Sequence, residues 1–235
     1  MRWLCVLLLL AVPAKAAENT GVIRGTVTLV GREPVISEVL PGNDADVCGG
    51  SARPMQVLTL GTNRAVRDAI VYLGAVAATG NGVRPVVLES RGCEFVPRVQ
   101  VARSGATLLI RNSDQILHMV RLESLSATNR TKVLVTAAAP YAGFEKKYQL
   151  AGFREPALLK ATSINGHDWM AGYIAVMQHP WAVLSDGDGR FSLSALPLGT
   201  YKLYAWHEVL GTLACEVRVA RGRATTVDLR FTGKR

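Results

Sequence analysis

The run Asp186-Gly187-Asp188-Gly189-Arg190-Phe191-Ser192-Leu193-Ser194-Ala195-Leu196-Pro197-Leu198-Gly199-Thr200-Tyr201-Lys202-Leu203-Tyr204-Ala205 decides the fold. Phe191, Leu193 and Ala195 alternate with polar residues. Past the Leu198-Gly199-Thr200 turn, Tyr201, Leu203 and Ala205 do the same. Successive side chains of a strand point to opposite faces, so a period of two puts one face of each run in a core and the other in water. The tract Asp186 to Gly189 is read as a hairpin turn. It has the outline of half a calcium loop, but no Glu closes it and the chain continues straight into a strand.

Outward from this run the pattern repeats. Val227, Leu229 and Phe231 alternate, as does Val22 to Val30 around Val27 and Leu29. Val66 to Leu73 and Thr107 to Ile110 are short apolar runs. Turn residues separate them at Pro41-Gly42-Asn43-Asp44, Thr79-Gly80-Asn81-Gly82 and Arg103-Ser104-Gly105. Many short strands with such punctuation predict an all-β, antiparallel sandwich or barrel. Ser124 to Phe153 is the least regular stretch and is expected to be a long insertion loop with one helical turn. A soft boundary at Gln178-His179-Pro180 divides the chain into 17–178 and 179–235. The second part is small for an independent domain, so it is expected to pack on the first or to borrow the Gly21–Val30 strand.

Hydrophobic residues make up 49 % of the 235 and charged residues 19 %, which excludes a disordered chain. Met1-Arg2, the apolar stretch Leu4 to Val12 and Ala14-Lys15-Ala16 read as a secretory signal peptide, residues 1–16, cleaved after Ala16. The stretch is too short to cross a bilayer as a helix. The expected chain is therefore exported, periplasmic or secreted, with no integral membrane span after cleavage. Cys5 leaves with the signal, and Cys48, Cys93 and Cys215 remain in an oxidising compartment. Three cysteines mean one bridge and one spare thiol. Cys48 and Cys93 both sit beside glycine in turn-like stretches and are expected to pair, whereas Cys215 lies in a strand-like run as a buried free thiol. On the chain-entropy account the bridge adds roughly 3–4 kcal/mol. The net charge of +9 is scattered, with no aromatic ladder between the basic residues, which argues against a nucleic-acid partner.

The sequence has no Gly-x-Ser-x-Gly elbow, no His-Glu-x-x-His, no Cys-x-x-Cys and no P-loop, so a common hydrolase or nucleotide-using enzyme is not expected. Two segments carry other chemistry: Arg111-Asn112-Ser113-Asp114-Gln115-Ile116-Leu117-His118 after an apolar strand, and His167-Asp168-Trp169-Met170. Two imidazoles and a thioether suit copper, above all Cu(I). Met119, on the opposite side of its strand from His118, is expected in the core. His179 and His207 are expected to pack or to hydrogen-bond rather than to bind metal.

Taken in order, these pieces resemble a family. Cys93-Glu94-Phe95-Val96-Pro97-Arg98-Val99, Gly105, Asn112-Ser113-Asp114, His118 and His167 to Ile174 are similar to the exported cupredoxin-like proteins. His179-Pro180-Trp181-Ala182-Val183, Asp186 to Phe191, Leu196 to Tyr201 and Trp206-His207 resemble the carboxypeptidase-regulatory or prealbumin-like β module that follows in them. The resemblance runs from about Gly21 to Phe231. It implies a cupredoxin-like Greek-key sandwich with a smaller C-terminal prealbumin-like β-sandwich. It also implies a copper ion held by His118, His167 and Met170.

One departure qualifies that implication. Where the family places the thiolate of a blue-copper site, three residues before the loop histidine, this chain has Ile164. A blue centre needs two histidines and a cysteine. The expected protein is thus non-enzymatic and binds copper through a thiolate-free His/His/Met site. The alternative is a metal-free binding module, with Trp181, Tyr201, Tyr204 and Trp206 available for a carbohydrate or an exported protein partner. Electron transfer ranks third because of Ile164.

Overall fold

A computed structural model of the chain describes residues 20–42, 44–77, 82–125 and 131–233, so the expected signal peptide lies outside them. Among the described residues the chain is strand almost throughout. The first strands are β1 (Thr20–Val30), β2 (Glu38–Val39), β3 (Arg53–Pro54), β4 (Ile70–Leu73), β5 (Val86–Ser90) and β6 (Phe95–Val96). Then come β7 (Val99–Arg103), β8 (Ala106–Asn112), β9 (His118–Leu125), β10 (Lys132–Ala139), β11 (Phe144–Leu150) and β12 (Ala157–Ser163). The last are β13 (Ala171–Met177), β14 (Ala182–Leu184), β15 (Arg190–Pro197), β16 (Gly199–His207), β17 (Gly211–Val219) and β18 (Ala224–Thr232). A single helical turn, α1 (Ala45–Cys48), lies between β2 and β3.

Four sheets stack face to face, and each interface follows from the period of two. The sheets β11-β8-β5-β6 and β10-β9-β12-β13-β7 enclose one core, with Leu88, Leu108 and Ile110 facing Val120, Leu122, Leu159 and Ile174. The sheets β14-β4-β16-β17 and β15-β1-β18 enclose a second, with Val71, Leu73 and Leu203 facing Ile23, Val27, Leu193 and Phe231. The outer faces of the two inner sheets meet in a third, smaller core: Ile70, Ala175 and Met177, flanked by Tyr72 and Trp206. Strand β13, Ala-Gly-Tyr-Ile-Ala-Val-Met, is buried at every position because both of its faces are covered, as its unbroken apolar run requires.

The strands of 179–235 do pair with Thr20–Val30: β1 runs antiparallel to β15 and parallel to β18. Ile70–Leu73, read with the first part of the chain, also pairs in the second sandwich, between β14 and β16. The expected insertion loop between Ser124 and Phe153 is a different structure. It supplies β10 and β11, the edge strands of the two sheets of the first sandwich. Their faces are mostly wet, and Lys132, Lys146 and Lys147 stand exposed on them. Lysine on an edge strand discourages further pairing and leaves little apolar alternation to read.

Three smaller readings are also corrected. The alternation from Phe191 breaks at Ala195, which is exposed at φ +54° opposite a register shift in β1, so that Leu196 enters the core instead. Met119 is only half-buried, because the outer face of β9 is incompletely covered. The Asp186–Gly189 turn joins β14 and β15, which belong to facing sheets rather than to one hairpin. Its conformation is held by the Asp186 carboxylate, which accepts from the N–H groups of Asp188 and Arg190 at 2.9 and 2.8 Å.

Candidate metal centre

The two sequence segments that carry His118 and His167 come together at one end of the first sandwich. Asn112, the last residue of β8, is fully buried. Its amide donates to the carbonyls of Ile116 and Ala139, both at 2.8 Å, and its Oδ1 accepts from Asp114 N–H at 2.9 Å. This fixes the loop that delivers His118 to the start of β9. Asn165 ties the second loop to the first: its Oδ1 accepts from Met119 N–H at 2.9 Å, and its Nδ2 donates to the Leu117 carbonyl at 2.8 Å. Gly166, at φ +89°, then turns the chain so that His167 points inward.

His118 is completely buried and His167 is 1 % exposed. Their rings meet edge to face with centroids 5.0 Å apart. Each faces a carboxylate through Nε2: His118 lies 2.9 Å from Asp114 Oδ2, and His167 lies 3.1 Å from Asp44 Oδ2, the latter without hydrogen-bond alignment. The Nδ1 atoms of both rings are buried with no hydrogen-bond partner. Asp114 also accepts from the N–H groups of Gly92 and Cys93 at 2.6 and 3.0 Å. Burial is the largest influence on His118 and pushes it below the ordinary imidazole value, against the pull of Asp114. A neutral imidazole is the form that binds metal.

Cys48 and Cys93 form the expected disulfide, across a sequence separation of 45. It borders the histidines directly. The two sulfurs and a His167 ring nitrogen lie within 4.8 Å of one another, as do the Cys93 sulfur, an Asp114 oxygen and a His118 ring nitrogen. Trp169 closes the group: its indole packs edge-on to His167 at 5.3 Å and donates to the Cys93 carbonyl at 2.8 Å. Met170 is fully buried in the same core, and its N–H donates to the His167 carbonyl at 2.8 Å. Ile164 is instead exposed on the loop, away from this interior.

Sequence reasoning missed Asp114 as a partner of His118, although a carboxylate four residues before a histidine is a readable signal. It missed Asp44 and the placement of the disulfide too. Those carry no local signal, because α1 and its N-cap Asp44 lie far from both histidines in sequence and are tied in by the disulfide; Arg53 donates to the Cys48 carbonyl and pairs with Glu94 at 2.9 Å.

The remaining histidines are buried and hydrogen-bonded. His179 donates Nε2–H to the Gly74 carbonyl at 3.0 Å, and His207 Nδ1 accepts from Val209 N–H at 3.2 Å. Burial lowers both from the ordinary imidazole value, His207 to about 4, with Arg98 adding to the effect there. In the window between that value and the ordinary 6.5, the unfolded chain binds a proton at His207 that the folded chain refuses. Stability is therefore full above the window and falls as pH drops through it, by on the order of 3 kcal/mol from His207. Thermal midpoints measured at pH 7, 5 and 4 should fall in that order, with a smaller slope in His207→Gln.

Cys215 is the free cysteine among the described residues; it lies half-buried rather than buried on β17, against the core of the second sandwich. The aromatic candidates for a sugar platform are engaged within the fold. Trp181 is buried and donates to the Ser194 carbonyl at 3.1 Å, Tyr204 stacks on Tyr72 at 5.2 Å, and Trp206 packs on Tyr173 at 4.9 Å. A surface groove of about 600 Å³ lies on the second sandwich among Arg24, Thr26, Asp186, Arg190 and Asp228, with no histidine in its lining.

No protein-family profile and no curated relative matches the chain. Among solved structures, part of the chain is similar to a copper-containing nitrite reductase from Thermus scotoductus SA-01, at 19 % identity and a TM-score of 0.31. That match covers 44 % of this chain and only 25 % of the reductase. A purple cupredoxin from Nitrosopumilus maritimus is similar at 16 % identity and a TM-score of 0.30, over 40 % of this chain and 99 % of its own. A point variant of amicyanin in its reduced state is similar at 17 % identity and a TM-score of 0.30, over 45 % of this chain and 97 % of its own.

Proposed function

We propose that this protein is an exported, non-enzymatic copper-binding protein. Its first sandwich is cupredoxin-like, its second is a prealbumin-like module, and the ion is held by His118, His167 and Met170. The observation that carries this reading is the state of the two imidazoles. Both leave Nδ1 buried with no partner; His118 is hydrogen-bonded through Nε2 to Asp114, and His167 Nε2 lies 3.1 Å from Asp44 without a hydrogen bond. Orphaned buried nitrogens are costly in a folded protein. A carboxylate on the far nitrogen of a histidine is the usual support of a metal ligand, because it orients the ring and raises its basicity. Met170 supplies a soft donor of the kind Cu(I) prefers.

Copper bound there would supply a soft ion with two accessible oxidation states. The chain's own residues do the rest. Asn112 and Asn165 fix the two loops, Asp114 orients the His118 ring, and Trp169 covers His167. The closure of the site, with all three proposed ligands buried, favours holding an ion over turning over a substrate.

The test is a Cu(I) titration against a competing chelator, with ascorbate as reductant and no thiol present, so that the disulfide stays closed. One equivalent should bind to the purified chain. The His118→Ala, His167→Ala double variant should lose more than about 100-fold in affinity, since even the supporting residues of metal sites are worth about 10–100-fold. Absence of a bound equivalent, or an unchanged affinity in the double variant, would overturn the reading in favour of a metal-free scaffold.

A further inference from the structure

We propose that the Cys48–Cys93 disulfide is a redox gate on this site: once reduced, Cys48 and Cys93 join His118 and His167 as a four-donor S₂N₂ site for a thiophilic cation of the Cu(I) or Zn(II) class. The inference goes beyond the thiolate-free reading above and shares only the two imidazoles with it.

Three observations support it. Both sulfurs already lie within 4.8 Å of a His167 nitrogen, and the Cys93 sulfur lies within the same distance of a His118 nitrogen. All four side chains belong to residues at most 1 % exposed, so the donors converge in a dry interior rather than on a surface. The ring nitrogens left without partners there are donors already in place. Two thiolates and two imidazoles in a tetrahedral arrangement are the donor set of Cu(I) and Zn(II).

The piece that carries Cys48 has few regular backbone ties. The helix α1 is one turn long, has no side-chain cap, and is flanked by the two-residue strands β2 and β3. Segments with so few backbone ties open at low free energy. An external dithiol supplies the electrons. Its thiolate attacks one sulfur of the bridge and forms a mixed disulfide, and its second thiol resolves that bond. The products are the two protein thiols and the reductant's own cyclic disulfide, a two-electron exchange. A cation entering the site then displaces one proton from each thiol.

The experiment treats the whole chain with dithiothreitol, removes the reductant without air, counts thiols, and adds Co(II) as a visible stand-in for Zn(II). Three thiols should be counted in the chain from residue 17 onward, from which Cys5 is gone, Cys215 included. A thiolate-to-Co(II) absorption band with tetrahedral ligand-field bands should then appear. The band should be absent from the oxidised chain and from the Cys48→Ser, Cys93→Ser variant, retained in Cys215→Ser, and lost in His118→Ala, His167→Ala. Circular dichroism of the reduced chain checks folding independently of the metal. A folded, reduced chain without the band, a band that survives loss of both histidines, or a reduced chain that is unfolded would each overturn the proposal. The outcomes separate the two readings. Cu(I) bound by the oxidised chain with no Co(II)–thiolate band in the reduced one sinks only the gate. The reverse sinks only the thiolate-free copper site.

Discussion

Replacing Asp114 with alanine should lower stability by about 4 kcal/mol and loosen the site at the same time. The Asp114 carboxylate is 7 % exposed and serves three groups: the part-buried N–H of Gly92, the buried N–H of Cys93 and the buried His118 Nε2. Removing it leaves two peptide groups and an imidazole without a partner, and each stranded buried donor costs about 1–3 kcal/mol. At about 2–4 °C per kcal/mol for a chain of this size, the thermal midpoint should fall by roughly 10 °C. Asp114→Asn keeps one acceptor oxygen and should cost about half as much. A midpoint within about 2 °C of the parent in Asp114→Ala, on the same scale, would mean that the loop finds other acceptors and that Asp114 does not set the position of His118.

The second large effect concerns the joint between the two sandwiches. Arg98 precedes β7 in the first, and Glu208 follows β16 in the second. They form a two-pronged ion pair at 2.6 and 2.8 Å, with the Glu208 side chain 2 % exposed and that of Arg98 22 % exposed. Gln56 donates to the Glu208 carbonyl at 2.8 Å, and Tyr173 leans on the same carboxylate, which helps to push its hydroxyl above the ordinary tyrosine value after burial itself. Glu208→Ala would strand the guanidinium in that interior. Breaking one side of a buried pair costs about 3–5 kcal/mol, far more than an exposed pair is worth. Chemical unfolding of the variant should lose its single transition and show the two sandwiches melting apart, since the third core that joins them is small. A single transition displaced by less than about 1 kcal/mol would show instead that the apolar contacts of Ile70, Ala175 and Met177 hold the joint by themselves.

The parts of this structure that could be read from sequence are those in which one face is wet. Strand β18 alternates toward its end between buried Leu229 and Phe231 and exposed neighbours, and β15 does so between Phe191, Leu193 and the exposed residues beside them. The disulfide pairing was legible because Cys48 and Cys93 sit beside glycine in turn-like stretches, whereas Cys215 lies in a strand-like run. The four-layer stack was less so. Strand β13 has no wet face, and an unbroken apolar run of seven residues does not say which two sheets will cover it. The pairing of β1 with β15 and β18 was one of the two arrangements expected for the small C-terminal part, but no local pattern records its register, which joins Thr20 to Pro197 and Val22 to Ala224.

The site divides in the same way. His118, His167 and Met170 are visible as residue types, and the structure gathers the two histidines edge to face. Their surroundings are not visible, because Asp44 and the disulfide arrive from separate loops. Ile164, at the position where the resemblance would place a thiolate, proves to be exposed, while the sulfur near the histidines comes from Cys48 and Cys93.

X-ray absorption at the copper edge, on the oxidised chain loaded with one equivalent of Cu(I), tests the copper reading most directly. The account predicts two nitrogen scatterers with the outer-shell pattern of imidazole and one sulfur scatterer, with the imidazole pattern lost in the His118→Ala, His167→Ala variant. A spectrum with no imidazole pattern, or one unchanged by the double substitution, would place the ion elsewhere on the chain and contradict the account.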